Sequence, residues 1–296
     1  MNNFMKDSKI VFASAENAKQ YLKKEDIFIK NLSPFDRSAR LKTSKEINIS
    51  EFLDFICEQT LDWNDNEKKV INNIMNNINH DLSEFKMAFP EEIIFIKTTG
   101  LEEGNAAYCR GNNIIVLPIN IFNYKLILHE LFHIYSRNNL IVQEKLYNIL
   151  SFRKSNELLL PDDIFRLKIT NPDAAVNNYY FSSKINEREF DLMPILLSSS
   201  NYDEQKAGKF FDYLSLNFIA VRNNGDNMVP VIENNEYFIF KLDQVTNYFE
   251  LIGRNTNYII HPEEILAENF VSLIHGIKNK PNMEIIDKMK EILKAP

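Results

Sequence analysis

An α+β fold, mainly helical and built around a small mixed or antiparallel sheet, is the architecture the sequence predicts. Three observations carry it. Apolar residues recur at three- and four-residue steps through several stretches of helical length, two β-branched runs lie on either side of the turn-prone Gly111-Asn112-Asn113, and helical stretches resume in the C-terminal third.

Taken in order, the first 45 residues mix charge with short apolar clusters around a Ser33-Pro34 turn and read as an adaptable arm leading into a domain over 46–296. Ile49 to Leu61 and Asn66 to Phe85 read as helices; in the second, Ile71, Met75, Ile78, Leu82 and Phe85 form a core-facing stripe. Pro90 breaks that pattern. Glu92 to Thr98, rich in β-branched and aromatic residues and followed by Gly100, reads as a buried strand, and Ala106 to Leu117 supplies a second across its turn. Phe122 to Arg137 and Val142 to Leu150 return to helical spacing. From about 160 to 245 the chain loosens: the turn-forming Thr170-Asn171-Pro172-Asp173 precedes a polar segment through Ser200. The runs Tyr213 to Val221, Met228 to Ile232 and Glu236 to Leu242 then suggest a small antiparallel meander, forming either a separate sheet or an insertion. Helices over Pro262 to His275 and Met283 to Lys294 close the chain, the first with proline in its opening turn.

Composition narrows the function classes. The 296 residues carry 34 Lys plus Arg against 41 Asp plus Glu, a formal charge of -7, so no global cationic field exists to gather phosphate backbones and nucleic acid is not the expected partner. Nowhere do eighteen apolar residues run together, so no membrane span is expected. The short stretch Ile10 to Ala13 is too brief for a secretory leader, and Cys57 and Cys109 lack CxxC pairing; a cytoplasmic, reducing compartment is the default expectation, although export without a cleaved leader leaves no mark in a sequence. Seven glycines and no GxGxxG leave nucleotide-binding loops without their residues. Oligomeric state is not legible.

The chemistry lies in His129-Glu130-Leu131-Phe132-His133. Histidines at i and i+4 of a helix stand on one face, close enough for their nitrogens to converge on one ion at about 2.0 to 2.1 Å. Glu130 points about 100° around the helix from His129, where it can address a water beside the ion rather than the ion itself. Leu126, Ile127, Leu128, Leu131, Phe132 and Ile134 would bury the pair, and buried imidazoles require partners. The strand before this helix offers a sheet edge to which an extended peptide could add.

HELFH after a strand resembles the zincin class of metallopeptidases, whose active-site helix packs beneath a twisted sheet with an edge strand over it. Metzincins continue HExxHxxGxxH, but Ser136 stands where the glycine would be and Asn139 where the third histidine would be, so that branch does not fit. Gluzincins, the thermolysin type, take their third ligand from a Glu on a second helix, with an acidic residue four positions on supporting a histidine. Glu264-Ile265-Leu266-Ala267-Glu268 matches that pattern, and Pro262 can start the helix so that both carboxylates share one face. The resemblance therefore implies Zn²⁺ held by His129, His133 and Glu264, Glu130 as general base, and Glu268 as hydrogen-bond support for one imidazole. Glu263 is the near competitor for third ligand, with Glu144, Asp173, Glu187 and Glu189 further off.

The activity so implied is zinc-dependent hydrolysis of peptide bonds in a peptide or protein substrate, with Glu130 taking a proton from water and passing it to the leaving amine. His261, Tyr258 and Arg254 stand near enough in sequence to donate to the oxyanion, and the sequence does not select among them. Cys109 reads as a small packed residue. The rival reading is a catalytically inactive scaffold of the same fold, acting as a metal-stabilised protein-binding module; metal-assisted hydrolysis of a different amide is a third.

Overall fold

The computed structural model describes residues 8–206, 208 and 210–295. The chain opens with β1 (Lys9–Phe12), α1 (Ala15–Leu22), α2 (Ile27–Asn31) and α3 (Pro34–Arg40). It continues with α4 (Ile49–Glu58), β2 (Thr60–Leu61), α5 (Asp65–Asp81), β3 (Glu92–Thr98), β4 (Tyr108–Arg110), β5 (Ile114–Pro118), α6 (Tyr124–Asn138) and α7 (Leu140–Ile149). Next come β6 (Arg153–Lys154), α8 (Asp162–Phe165), β7 (Tyr179–Ile185), β8 (Arg188–Ser198), β9 (Leu214–Asn224), β10 (Asn227–Pro230), β11 (Ile232–Glu233), β12 (Glu236–Tyr237) and β13 (Ile239–Lys241). Finally, α9 (Tyr248–Ile252), α10 (Pro262–Ile274) and α11 (Met283–Lys294) close the fold. It is a mixed α+β fold.

The first sheet has the order β1-β3-β5-β4, with β2 also on β3; β1, β3 and β5 run parallel and β4 returns antiparallel as the edge. Both faces are covered, which is why its strands read as continuous apolar runs rather than alternating ones. Ile93, Phe95, Cys109, Ile115 and Leu117 face the core that holds α5 and α6, while Ile94, Ile96, Tyr108 and Val116 face the one that holds α1 and α4. The edge strand β4 lies on α6, with Cys109 Sγ 3.4 Å from the Glu130 carbonyl oxygen.

Two expectations are corrected by packing. Residues 8–45 are not a loose arm: β1 pairs with β3, Ala18 and Leu22 of α1 are fully buried, and α3 starts on a Ser33/Asp36 capping box with Pro34 at its first turn. These elements are too short to show a period of their own and are held by distant partners; the expectations for residues 1–7 lie outside the described residues. The segment 160–245 does form a separate sheet, but a larger one than the small meander expected. It forms an antiparallel sheet, β10-β9-β8-β7-β6 with β13 also on β9, and a separate β11–β12 ribbon. Phe181, Leu192, Phe218 and Ala220 on one face of that sheet join the same core as α6 and α10, whereas Met193, Ile195, Ile219 and Val221 on the other close over Leu158 and Ile164. Period-2 burial in β7 passes through Ser183, a buried hydroxyl bonded to Asn247, which hides the alternation from a hydropathy reading.

The described N-terminal helices also shape the region that follows. Arg40, fully buried, donates to Asp36 and Glu103 and to the Thr170 carbonyl at 3.0 Å, while the Thr170 N–H donates to Asp36 at 3.0 Å. The turn beginning at Asn171 is thereby tied to α3. Among the described residues no helix is long and apolar enough to cross a membrane.

Candidate metal centre

Helix α6 starts where the Asn123 side chain accepts from the Leu126 N–H, and it is buried without interruption from Ile127 to Ser136. Its His129 and His133 rings stand 4.7 Å apart on one face. Helix α10 starts at Pro262 behind His261, whose Nδ1 accepts from the Glu263 N–H, and it packs on α6 through Phe132 and Phe270 at 5.3 Å. That packing brings the acidic first turn of α10 onto the histidines.

Glu264 Oε2 lies 3.1 Å from His129 Nε2 and 3.6 Å from His133 Nε2. Ligand atoms about 2.05 Å from a tetrahedral ion stand about 3.3 Å apart, and these separations bracket that figure. His133 Nε2 is moreover a buried nitrogen with no hydrogen-bond partner. An orphaned polar atom facing a carboxylate and a second imidazole is what a cation would satisfy, so the three side chains fit a two-histidine, one-carboxylate metal site.

Each group is held from behind. His129 Nδ1 meets Glu268 Oε1 at 3.1 Å, and His133 Nδ1 meets Glu263 Oε1 at 3.0 Å. Glu263 therefore supports an imidazole, and its other oxygen accepts from Ser136 Oγ at 2.8 Å and Tyr147 OH at 2.6 Å. Asn171 Nδ2 donates to Glu264 Oε1 at 2.6 Å. With both Nδ1 atoms turned to carboxylates, both Nε2 atoms are left for the ion.

Electrostatics follow the same pairing. Burial works against a charge on His129, but hydrogen bonds to Glu264 and Glu268 outweigh it and push its pKa to about 9. Burial likewise opposes the charge on His133, yet the carboxylates of Asp173, Glu264 and Glu263 raise it well above the usual imidazole range. Burial alone would raise Glu264, but the His133 charge and the hydrogen bond from His129 hold it well below the usual carboxylate range. A divalent cation would displace the protons the carboxylates retain on these rings.

Glu130 is buried at the wall of the site, and burial together with the Asp173 charge pushes its pKa to about 7. Cys109 Sγ lies 3.3 Å from Glu130 Oε2; burial raises the thiol well above its usual value, so it stays a neutral donor. Both cysteines are free and buried. The sheet edge is less open than the sequence suggests. The Cys109 N–H donates to Asp173 Oδ1 at 2.9 Å, and Arg137 holds the same oxygen at 3.2 Å, so the 171–174 turn covers β4 at that point. The stretch still facing the cleft is Asn105 to Ala107.

No protein-family model, curated protein or solved structure matches the chain.

A cleft of about 480 Å³ opens over the site, lined by His129, Glu130, Glu264, Glu268, Asp173 and Tyr258 among others. The Tyr258 ring stacks on His129 at 6.3 Å, and its hydroxyl has no hydrogen-bond partner among the described residues. Burial and the charges of Glu264, Asp173 and Glu130 keep that phenol protonated well past neutrality. Arg254 instead stacks on Phe249, and His261 caps α10 through its Nδ1 and lines a different cleft, with burial lowering its pKa to about 4. Of the other carboxylates considered as third ligand, Glu144 pairs with Lys154 and Glu187 with Lys184 at the surface, Glu189 is exposed on β8, and Asp173 is engaged by Cys109 and Arg137. Sequence reasoning missed the supporting roles of Glu263, Ser136, Tyr147 and Asn171. Ser136 alone carried a signal, standing three residues from His133 on the same helix face.

Proposed function

We propose that the chain is a zinc-dependent peptidase of zincin-like fold, with a gluzincin-type ligand set of His129, His133 and Glu264. The observation that carries the reading is the convergence of two Nε2 atoms and one carboxylate oxygen, one nitrogen being buried without a partner. When bound, zinc supplies a Lewis acid that polarises the scissile carbonyl and acidifies the attacking water.

The remaining steps belong to the chain's own side chains. Glu268 and Glu263 fix the tautomers and orientations of the imidazoles, and Asn171 turns one oxygen of Glu264 away from them. Glu130 takes a proton from the water that attacks the peptide carbonyl and delivers it to the departing amine. Tyr258, with its hydroxyl unpartnered at the cleft wall, donates to the oxyanion that develops on the carbonyl oxygen. The Asn105–Ala107 backbone is the part of the sheet margin that an extended substrate can reach.

The test is zinc stoichiometry of the purified chain combined with digestion of a mixed peptide library, with and without chelator. Cleavage products that chelator abolishes are expected, and Glu130→Gln should keep its zinc while losing turnover. Zinc bound with no product from any peptide would make the protein a metal-holding scaffold instead. Cleavage by Glu130→Gln at the parent rate would place the base elsewhere.

A further inference from the structure

Asp173 also lines a second cleft, again of about 480 Å³, whose other walls come from Cys109, α2, the β4–β5 turn, α7 and residues 172–179. None of its cationic side chains is used by the proposed reaction. We propose that this cleft is a binding site for a small organic oxyanion, an apolar or aromatic body ending in a carboxylate or phosphate group.

The argument rests on donors without acceptors. Arg110 is 2% exposed; its Nε donates to Asp26 Oδ2 at 2.6 Å and its Nη2 to the Lys24 carbonyl at 3.1 Å, but its Nη1 is buried with no partner. Leaving a buried guanidinium N–H unmatched is costly, and it selects for an acceptor supplied from outside. Both oxygens of Asp26 and one of Asp173 are already engaged. Asp26 Oδ1 takes the Ile29 N–H, its Oδ2 takes Arg110, and Asp173 Oδ1 takes Cys109 and Arg137.

A further donor faces the same space. His261 lines the cleft, and since its Nδ1 accepts from the Glu263 N–H, the proton of the neutral ring sits on Nε2, which has no partner among the described residues. Arg110 and Arg137 also bring cationic groups to the cleft beside Asp26 and Asp173, while Lys154 is paired with Glu144. Much of the remaining wall is apolar, from Phe28, Leu140, Ala174 and Tyr179, which suits a hydrocarbon or aromatic body behind the anionic head. Guanidinium geometry matches both carboxylate and phosphate, so the head group is defined as an oxyanion and the test separates the two.

The experiment is calorimetric titration of the full chain, with and without zinc, using N-acetyl-phenylalanine, phenyl phosphate and, as neutral control, N-acetyl-phenylalanine amide. At least one acid should bind, at least tenfold more tightly than the amide and equally well in both metal states; the tighter of the two names the head group. Arg110→Met should weaken that acid at least tenfold. Because Arg110 also anchors Asp26, Ala174→Trp serves as a second variant that fills the cleft without removing any polar partner, and it should weaken binding as much while melting like the parent. Failure of both acids to bind at 10 mM, binding no tighter than the amide, affinity present only with zinc, or unchanged affinity in folded Ala174→Trp would each overturn the proposal. None of these outcomes bears on whether the chain cleaves peptides.

Discussion

Asn171 Nδ2 donates to Glu264 Oε1 at 2.6 Å while the other oxygen of that carboxylate faces His129 Nε2 at 3.1 Å. One oxygen is held and the other presented, so a loop residue decides how the acid meets an ion. The loop is itself fixed by Arg40 and Asp36 of α3 through Thr170. Asn171→Ala should therefore weaken zinc binding by about 10- to 100-fold, the usual effect of losing a partner of a ligand, with the fold retained. Competition against a chelator of known affinity measures it. A parent-like zinc affinity would mean that packing of α10 on α6 orients Glu264 unaided.

Glu263 carries a heavier load than the single bond from His133. It also accepts from Ser136 and Tyr147, and it is 2% exposed. Replacing it with alanine strands three buried donors, each costing about 1 to 3 kcal/mol, so Glu263→Ala should unfold at markedly lower denaturant concentration as well as bind zinc poorly. Tyr147→Phe removes only one of those donors, and its loss should be about 1 kcal/mol by denaturant titration, with zinc binding kept. Equal losses in the two variants would show that Glu263 matters only through Tyr147.

Tyr258 separates binding from chemistry. A hydroxyl that acts only on the developing oxyanion lowers kcat when removed and leaves KM nearly unchanged. Tyr258→Phe keeps the ring that stacks on His129 at 6.3 Å and should lose about 10²- to 10³-fold in kcat, with zinc content intact. A rise in KM at constant kcat would instead make the ring a substrate-binding surface.

Legibility followed the reach of each signal. The His129–His133 pair needed only helical spacing and an apolar surround, and the Glu264–Glu268 pair only a proline start and one turn of helix; the fold brings all four side chains together. The long elements α5, β3, α6, α10 and α11 announce themselves for the same local reason. Asn171 and Asp173 could be read as a turn, and Asp173 as a distant ligand candidate, but not placed, because their position depends on a bridge between Lys168 and Leu197 of β8 and on contacts from α3. Tyr147 reaches Glu263 only because α7 folds back on α10, and β1 exists only as the partner of β3. What escaped the sequence was placed by tertiary contact, which has no local period to detect.

Away from the candidate metal centre, Glu102 gives the stability a pH dependence of its own. It is 1% exposed, its Oε2 has no hydrogen-bond partner, and burial, reinforced by the neighbouring Glu103 charge, pushes its pKa to about 7 against the bonds from Thr98 and Tyr108. The folded chain thus holds a proton that the unfolded chain releases near pH 4.5. The associated stability is full below that pH, falls as pH rises towards 7, and is gone above it. Glu102→Gln, neutral at every pH, should therefore gain on the parent as pH rises from 5 to 8, by on the order of 3 kcal/mol at the upper end. Denaturant midpoints of the two proteins at pH 5 and pH 8 give the comparison. A stability difference that stays constant across that range would show that Glu102 ionises as readily inside the fold as outside it.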